Sequence, residues 1–157
     1  MIKFLIHCYQ SAFNEPLYWR LRMYVQLHGG VISRIFMMYI RRVEAKKCSS
    51  TGTGLKGNCC IIESPIELPH GLSGIIIARN VHIGHGVSIF QHVTIAESDK
   101  MKQTIIEDNV CIGAGAVILN NVHIGKGAKI GANAVVVNDV PAGATAVGVP
   151  AHNIIKK

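Results

Sequence analysis

From Ile77 to Pro150 an aliphatic or small residue returns at every sixth position for most of the stretch. Ile77, Ile83, Ile89 and Ile95 form one series, and Ile106, Ile112, Ile118, Ile124, Ile130, Val136 and Ala142 form a second. Small or β-branched residues recur four places later, at Val81, Val87, Val93, Val110, Ala116, Val122, Ala128, Ala134 and Val140. A helix would carry residues six apart to nearly opposite sides, whereas a strand keeps even spacings on one face. The pattern therefore predicts short strands joined by regular turns and stacked as a solenoid, about eighteen residues to a triangular coil.

The two series are out of step, because Ile95 and Ile106 lie eleven positions apart. The run from Ala96 to Thr104 is polar and lacks the repeat, so it reads as a loop thrown out of the wall. Such a loop on a rigid scaffold is a place for ligand contacts.

Residues 1 to about 47 carry helical patterning instead. Leu17, Leu21, Tyr24, Val25 and Leu27 mark one segment, Val31, Ile35, Met38 and Tyr39 another, and Gly29-Gly30 separates them. Pro16 fits the start of the second of three short helices. The small polar run Cys48 to Gly54 reads as a linker, with the solenoid beginning near Gly57. Two units follow: residues 1–50 as a helical cap, or a membrane or oligomer contact, and residues 57–157 as the β domain.

Composition refines this picture in two places. The net charge of +7 is concentrated in residues 1 to 50, where eight Lys/Arg face only Glu15 and Glu44. That basic segment suits either a solvated rim over the solenoid's open end or an anionic membrane surface. The five cysteines have no paired CxxC spacing and no signal-peptide pattern precedes them, so a reduced cytoplasmic chain is expected, with the inner membrane face as a peripheral site. The basic residues lack interleaved aromatics, which argues against nucleic acid.

The hexads Ile83 to Ser88, Ile112 to Val117 and Ile130 to Val135, with the ending Val140 to Ala151, resemble the hexapeptide-repeat acyltransferases. Leu68-Pro69-His70-Gly71, Gly74-Ile75-Ile76-Ile77 and Ile89-Phe90-Gln91-His92-Val93-Thr94-Ile95 resemble, within them, the serine acetyltransferases and their short relatives in surface-polysaccharide gene sets. The resemblance covers roughly residues 57 to 157. It implies a left-handed parallel β-helix, a homotrimer with sites between subunits, and acetyl-CoA as cosubstrate with no metal.

The same resemblance implies His70 as general base, a role that suits a neutral imidazole near neutral pH. His92, Lys102 and Gln103 are the implied acceptor-binding positions. Gly113, Ala114, Gly131 and Ala132 would take the pantetheine arm of CoA, and Lys156 and Lys157 its phosphates. The upstream Asp that orients this histidine in the family has no clear match here; Glu63 and Glu67 are candidates to stand in for it, and each reads first as a surface carboxylate. His82, His85 and His123 read as exposed turn residues.

Departures from the serine enzymes bear on the acceptor. Pro69 stands where they carry Asp, and Lys102-Gln103 where they carry Arg-His. The helical segment is short, and Ile154-Ile155-Lys156-Lys157 lacks the acidic-Gly-Ile ending that docks their partner enzyme. These departures lead to an expected O-acetyltransferase acting on a sugar hydroxyl of a surface polysaccharide. L-serine is the alternative, and a non-catalytic β-helix scaffold a further one. A zinc hydrolase on the same fold is disfavoured because no His-x4-His pair occurs.

Overall fold

The computed structural model describes residues 14–54, 59–96 and 103–154. Two helices, α1 (Glu15–Leu27) and α2 (Val31–Lys46), precede fourteen short strands. Asn14 caps α1 through its side chain, which accepts from the Leu17 N–H at 3.0 Å, and Pro16 lies in the first turn where a missing N–H is harmless. The helix expected before Pro16 falls on residues outside those described.

The strands form three parallel ladders, the walls of a triangular solenoid. One wall contains β1 (Ser50–Thr51), β3 (Ile76–Ile77), β6 (Thr94–Ile95), β9 (Val117–Ile118) and β12 (Val135–Val136). A second contains β2 (Ile61–Ile62), β4 (Val81–Ile83), β7 (Thr104–Ile106) and β10 (His123–Ile124). The third contains β5 (Ser88–Ile89), β8 (Cys111–Ile112), β11 (Lys129–Ile130), β13 (Thr145–Val147) and β14 (His152–Ile154), the last pairing antiparallel. Val117 pairs with Val135, eighteen positions on, as three hexads require. Thr94 pairs with Val117, twenty-three positions on, so the loop after Ala96 adds five residues to one coil without disturbing the ladder.

Both hydrophobic series point inward as far as Val136; the phase then shifts, leaving Ala142 exposed and burying Ala144 and Ala146 in its place. Ile83, Ile89, Ile112, Ile118 and Ile124 are fully buried, and so are Val93, Val110, Ala116, Ala128 and Ala134 beside the corners. Fully burying an Ile or Val side chain is worth about 1.5–3 kcal/mol, so the stacked column supplies most of the driving force for this fold.

The helices close the open end of that column. Tyr18, Trp19, Val25, Met37 and Ile40 join one continuous core with Cys60, Ile62 and Ile75. Polar side chains finish the exposed strand edges, which would otherwise leave backbone groups unpaired. The Gln26 amide donates to the Ile62 carbonyl and accepts from the Ile62 N–H, each at 3.0 Å. Fully buried Arg22 donates to the carbonyls of Thr51 (3.2 Å) and Cys60 (3.0 Å). Buried Glu44 accepts from the Thr51 N–H and from the hydroxyls of Tyr18, Thr51 and Thr53. Burial, reinforced by this carboxylate, holds the Tyr18 hydroxyl well above its ordinary range.

One sequence expectation changes here, and one face left open by the sequence is decided. The run Cys48 to Gly54 is not a linker: Ser50–Thr51 is the first strand, paired with Ile76–Ile77, and Thr51 and Thr53 anchor the helices. A short Ser/Thr/Gly run hides its strand because its buried face is polar and satisfied by Glu44. The apolar stripe of α2 is also not the buried one. Ser33, Met37, Ile40 and Glu44 face the core, while Val31, Ile35 and Met38 face solvent.

Candidate active site

The corner that leads from the third wall into the first gathers most of the expected site residues. Each turn hangs on the one before it: His92 N–H donates to Ser73 O (2.9 Å), Gly115 N–H to Gln91 O (3.0 Å), and Asn133 N–H to Ala114 O (2.9 Å). His70 and His92 therefore occupy adjacent coils, with Gly113-Ala114 and Gly131-Ala132 on the two coils beyond. Gly113 keeps its coil close to the next, since a Cβ there would stand 2.7 Å from the Ala132 nitrogen. The result is a strip of small residues, half-buried at Gly113, Ala114 and Gly131 and exposed at Ala132, running away from two imidazoles.

His70 is exposed, with its ring centroid 5.7 Å from that of Phe90. Neither nearby carboxylate orients it. Glu67 accepts from Ser88 Oγ at 2.7 Å, and Glu63 is held by His82 and His85, each at 2.8 Å. His92 takes a left-handed backbone (φ 60°) and lays its ring against Gly74, whose own φ is +64°. A Cβ on Gly74 would overlap His92 Nδ1 and stand 2.9 Å from Cε1.

Gln103 is not part of this corner within one chain. It directly precedes β7, at the corner between the first and second walls, where the excursion loop returns. The hexad rule puts Gln103 one corner away from His70 because the loop leaves the coil a full wall after His92. Lys102, Lys156 and Lys157 lie outside the described residues. Phe90 and Gln91 belong to the corner although sequence reasoning singled out neither. Phe90 packs on His70, and the Gln91 side-chain oxygen is buried with no partner. Their signal was membership of the same hexad as His92.

A second polar cluster occupies the corner between the second and third walls. His82 and His123 lie in strands β4 and β10 rather than in turns, and each bonds a carboxylate of the preceding coil at 2.8 Å, Glu63 and Glu107 respectively. The His123 ring and the Lys126 N–H hold the exposed Glu107 carboxyl below its usual range. The His85 N–H and the Lys126 ammonium do the same for Asp108. Glu63, His85 and Asp108 present donor atoms within 4.8 Å of one another, a set able to hold a divalent cation, although Lys126 Nζ already stands 3.3 Å from Asp108.

Two clefts lie away from both corners. One of about 820 Å³ runs between α2 and the first wall, lined by Arg41, Ser50, Thr53, Arg79 and Thr94. The other, of about 800 Å³, lies between α1 and the first coil, lined by Trp19, Met23, Pro65 and Ile66. Neither includes His70 or His92, both of which are exposed in the single chain.

Comparison with known proteins follows the same lines. The bacterial transferase hexapeptide family, six repeats, matches residues 103–138. A serine acetyltransferase of Buchnera aphidicola subsp. Schizaphis graminum is 38% identical over 143 residues, covering 88% of this chain and 49% of the relative. The chain thus spans about half the length of that curated relative. Among solved structures, soybean serine acetyltransferase complexed with serine superposes with a TM-score of 0.68 at 29% identity, covering 94% of this chain and 60% of that one. A serine acetyltransferase in complex with CoA gives 0.70 at 30% identity, covering 89% and 55%.

Proposed function

The chain belongs to the hexapeptide-repeat transferase family, and from that premise we propose that it is an acetyl-CoA-dependent O-acetyltransferase of the serine-acetyltransferase type. The observation that carries this reading is the single corner on which two imidazoles stand beside a strip of Gly/Ala backbone two coils long. His70 takes the proton of the acceptor hydroxyl, and the oxygen attacks the thioester carbonyl. The tetrahedral intermediate then collapses with loss of the CoA thiolate, which recovers the proton from His70. Gly113, Ala114, Gly131 and Ala132 leave room for the pantetheine arm against the backbone. The exposure of both imidazoles in the single chain motivates the oligomer proposal: a neighbouring copy in a homotrimer would supply the second wall of the cleft and bring Gln103 towards His70.

For the acceptor, the relatives and solved neighbours favour L-serine over the sugar hydroxyl to which the sequence departures led. The sugar reading keeps one specific support. Pro69 has no carboxylate to pair an ammonium group, and Gln103 is neutral, whereas a site built for a zwitterion rejects ligands strongly when its buried partners are missing.

The test is thiol release from acetyl-CoA with L-serine, nucleotide sugars and oligosaccharides under one set of conditions, beside calorimetry with CoA. His70→Ala is expected to lower turnover by about two to four orders of magnitude with CoA affinity nearly unchanged. No CoA binding by the wild type would end the enzyme reading. Sugar turnover with serine inert would reverse the order of acceptors.

A further inference from the structure

The outward face of α2 is not explained by the cap it forms. Val31 is 71% and Met38 74% exposed, with Ile35 between them and Leu27, at the end of α1, also open to solvent. At 100° per residue, Val31, Ile35 and Met38 fall within a sector of about 60°. Arg34 and Arg41 border that sector on one side and Lys46 on the other, Arg42 continues the sector itself one turn beyond Met38, and all four are exposed. The helix has one carboxylate, Glu44, and it points the opposite way, consumed by Tyr18, Thr51 and Thr53. The outward face is therefore apolar from Val31 to Met38 and, towards its C-terminal end and along its border, carries charge of a single positive sign.

We infer that this face is a docking surface for an anionic lipid bilayer, with Val31, Ile35 and Met38 entering the headgroup boundary and Arg34, Arg41 and Lys46 meeting lipid phosphates. A contiguous apolar patch on a water-exposed helix marks an interaction surface, and its basic border selects the partner. A second copy of the same face would bring Arg34, Arg41 and Lys46 against their own kind, which disfavours self-association through it. No described helix is long and apolar enough to cross a membrane, so the contact is peripheral. The inference is independent of acetyl transfer.

The experiment is co-sedimentation of the full chain with vesicles of phosphatidylglycerol and phosphatidylcholine in equal parts, and with phosphatidylcholine alone, with light scattering to follow assembly size. The wild type is expected to partition onto the anionic vesicles and to be released as salt rises from about 0.1 M to about 1 M, as the Debye length shrinks. A variant carrying Arg34→Gln, Arg41→Gln and Lys46→Gln should lose about a hundredfold in partition, near fivefold per charge. A variant carrying Val31→Ser, Ile35→Ser and Met38→Ser should stay in the supernatant with its circular dichroism unchanged, because these side chains are outside the core. Failure of the wild type to bind anionic vesicles overturns the inference, as does serine-variant binding equal to wild type. A smaller assembly for the serine variant, with no vesicle binding by the wild type, assigns the face to a contact between copies instead.

Discussion

Gly74→Ala is the sharpest probe of the candidate site, because two separable penalties meet there. The backbone of Gly74 sits at φ +64°, and an L-residue in that conformation costs about 1–2 kcal/mol. The added Cβ also overlaps His92 Nδ1, so the imidazole must leave its present rotamer, at roughly 0.5–1.5 kcal/mol. His92 is exposed and free to swing outward, which keeps the second penalty small. Together they predict a loss of about 2–3 kcal/mol, or roughly 4–12 °C in Tm for a domain of this size. In a His92→Ala background there is no ring to displace, and only the backbone penalty should remain. The pair should therefore be non-additive by about 0.5–1.5 kcal/mol, measured by urea denaturation of the four proteins in the double-mutant cycle. Gly74→Ala should also raise KM for the hydroxyl acceptor while leaving KM for acetyl-CoA unchanged. Strict additivity, or an unchanged acceptor KM, would show that Gly74 does not set the position of His92.

Other features give outcomes of their own. Glu44→Ala strands the Thr51 N–H and leaves the Tyr18, Thr51 and Thr53 hydroxyls only one another as partners, and should cost about 1–3 kcal/mol in urea denaturation; Glu44→Gln, which keeps an acceptor oxygen, should cost less, and equal losses would refute the role assigned to that oxygen. Burial pushes the Cys60 thiol up to about 12, so iodoacetamide at about pH 8 should modify exposed Cys48 and leave Cys60 intact in the folded protein, as read by peptide mass; equal labelling would place Cys60 outside the core. Glu107 is held below its usual range mainly by the His123 ring, so the small stabilisation it gives is present above the ordinary carboxylate range and fades as pH falls through the folded value. In an NMR titration, His123→Ala should raise the Glu107 midpoint, and an unmoved midpoint would exclude that bond as its main cause.

The repeating wall of this protein was legible in its residues alone. Period-six Ile and Val positions have one compact solution, and the eleven-residue step from Ile95 to Ile106 marked the inserted loop because a strand ladder tolerates an insertion only at a corner. His92 and the Gly/Ala hexads share a corner for the same reason, since equal phase in the repeat means equal position on the coil, whereas His70 lies in the irregular first coil and only the folded chain sets it beside Phe90. What tertiary structure alone decided were the contacts between coils and between the helices and the first coil. Glu63 and Glu107 meet His82 and His123 across a rung, a pairing set by which residues share a strand register rather than by any local pattern. Hydrophobic periodicity marked α2 as a helix through Val31, Ile35 and Met38 but did not decide which face is buried, and the opposite face is the one that packs. Burial there is settled by the partners on offer: Met37 and Ile40 meet the core of the first coil, and Glu44 finds four donors from Tyr18, Thr51 and Thr53. A one-dimensional pattern counts a carboxylate as exposed, and only the assembled first coil makes its burial favourable.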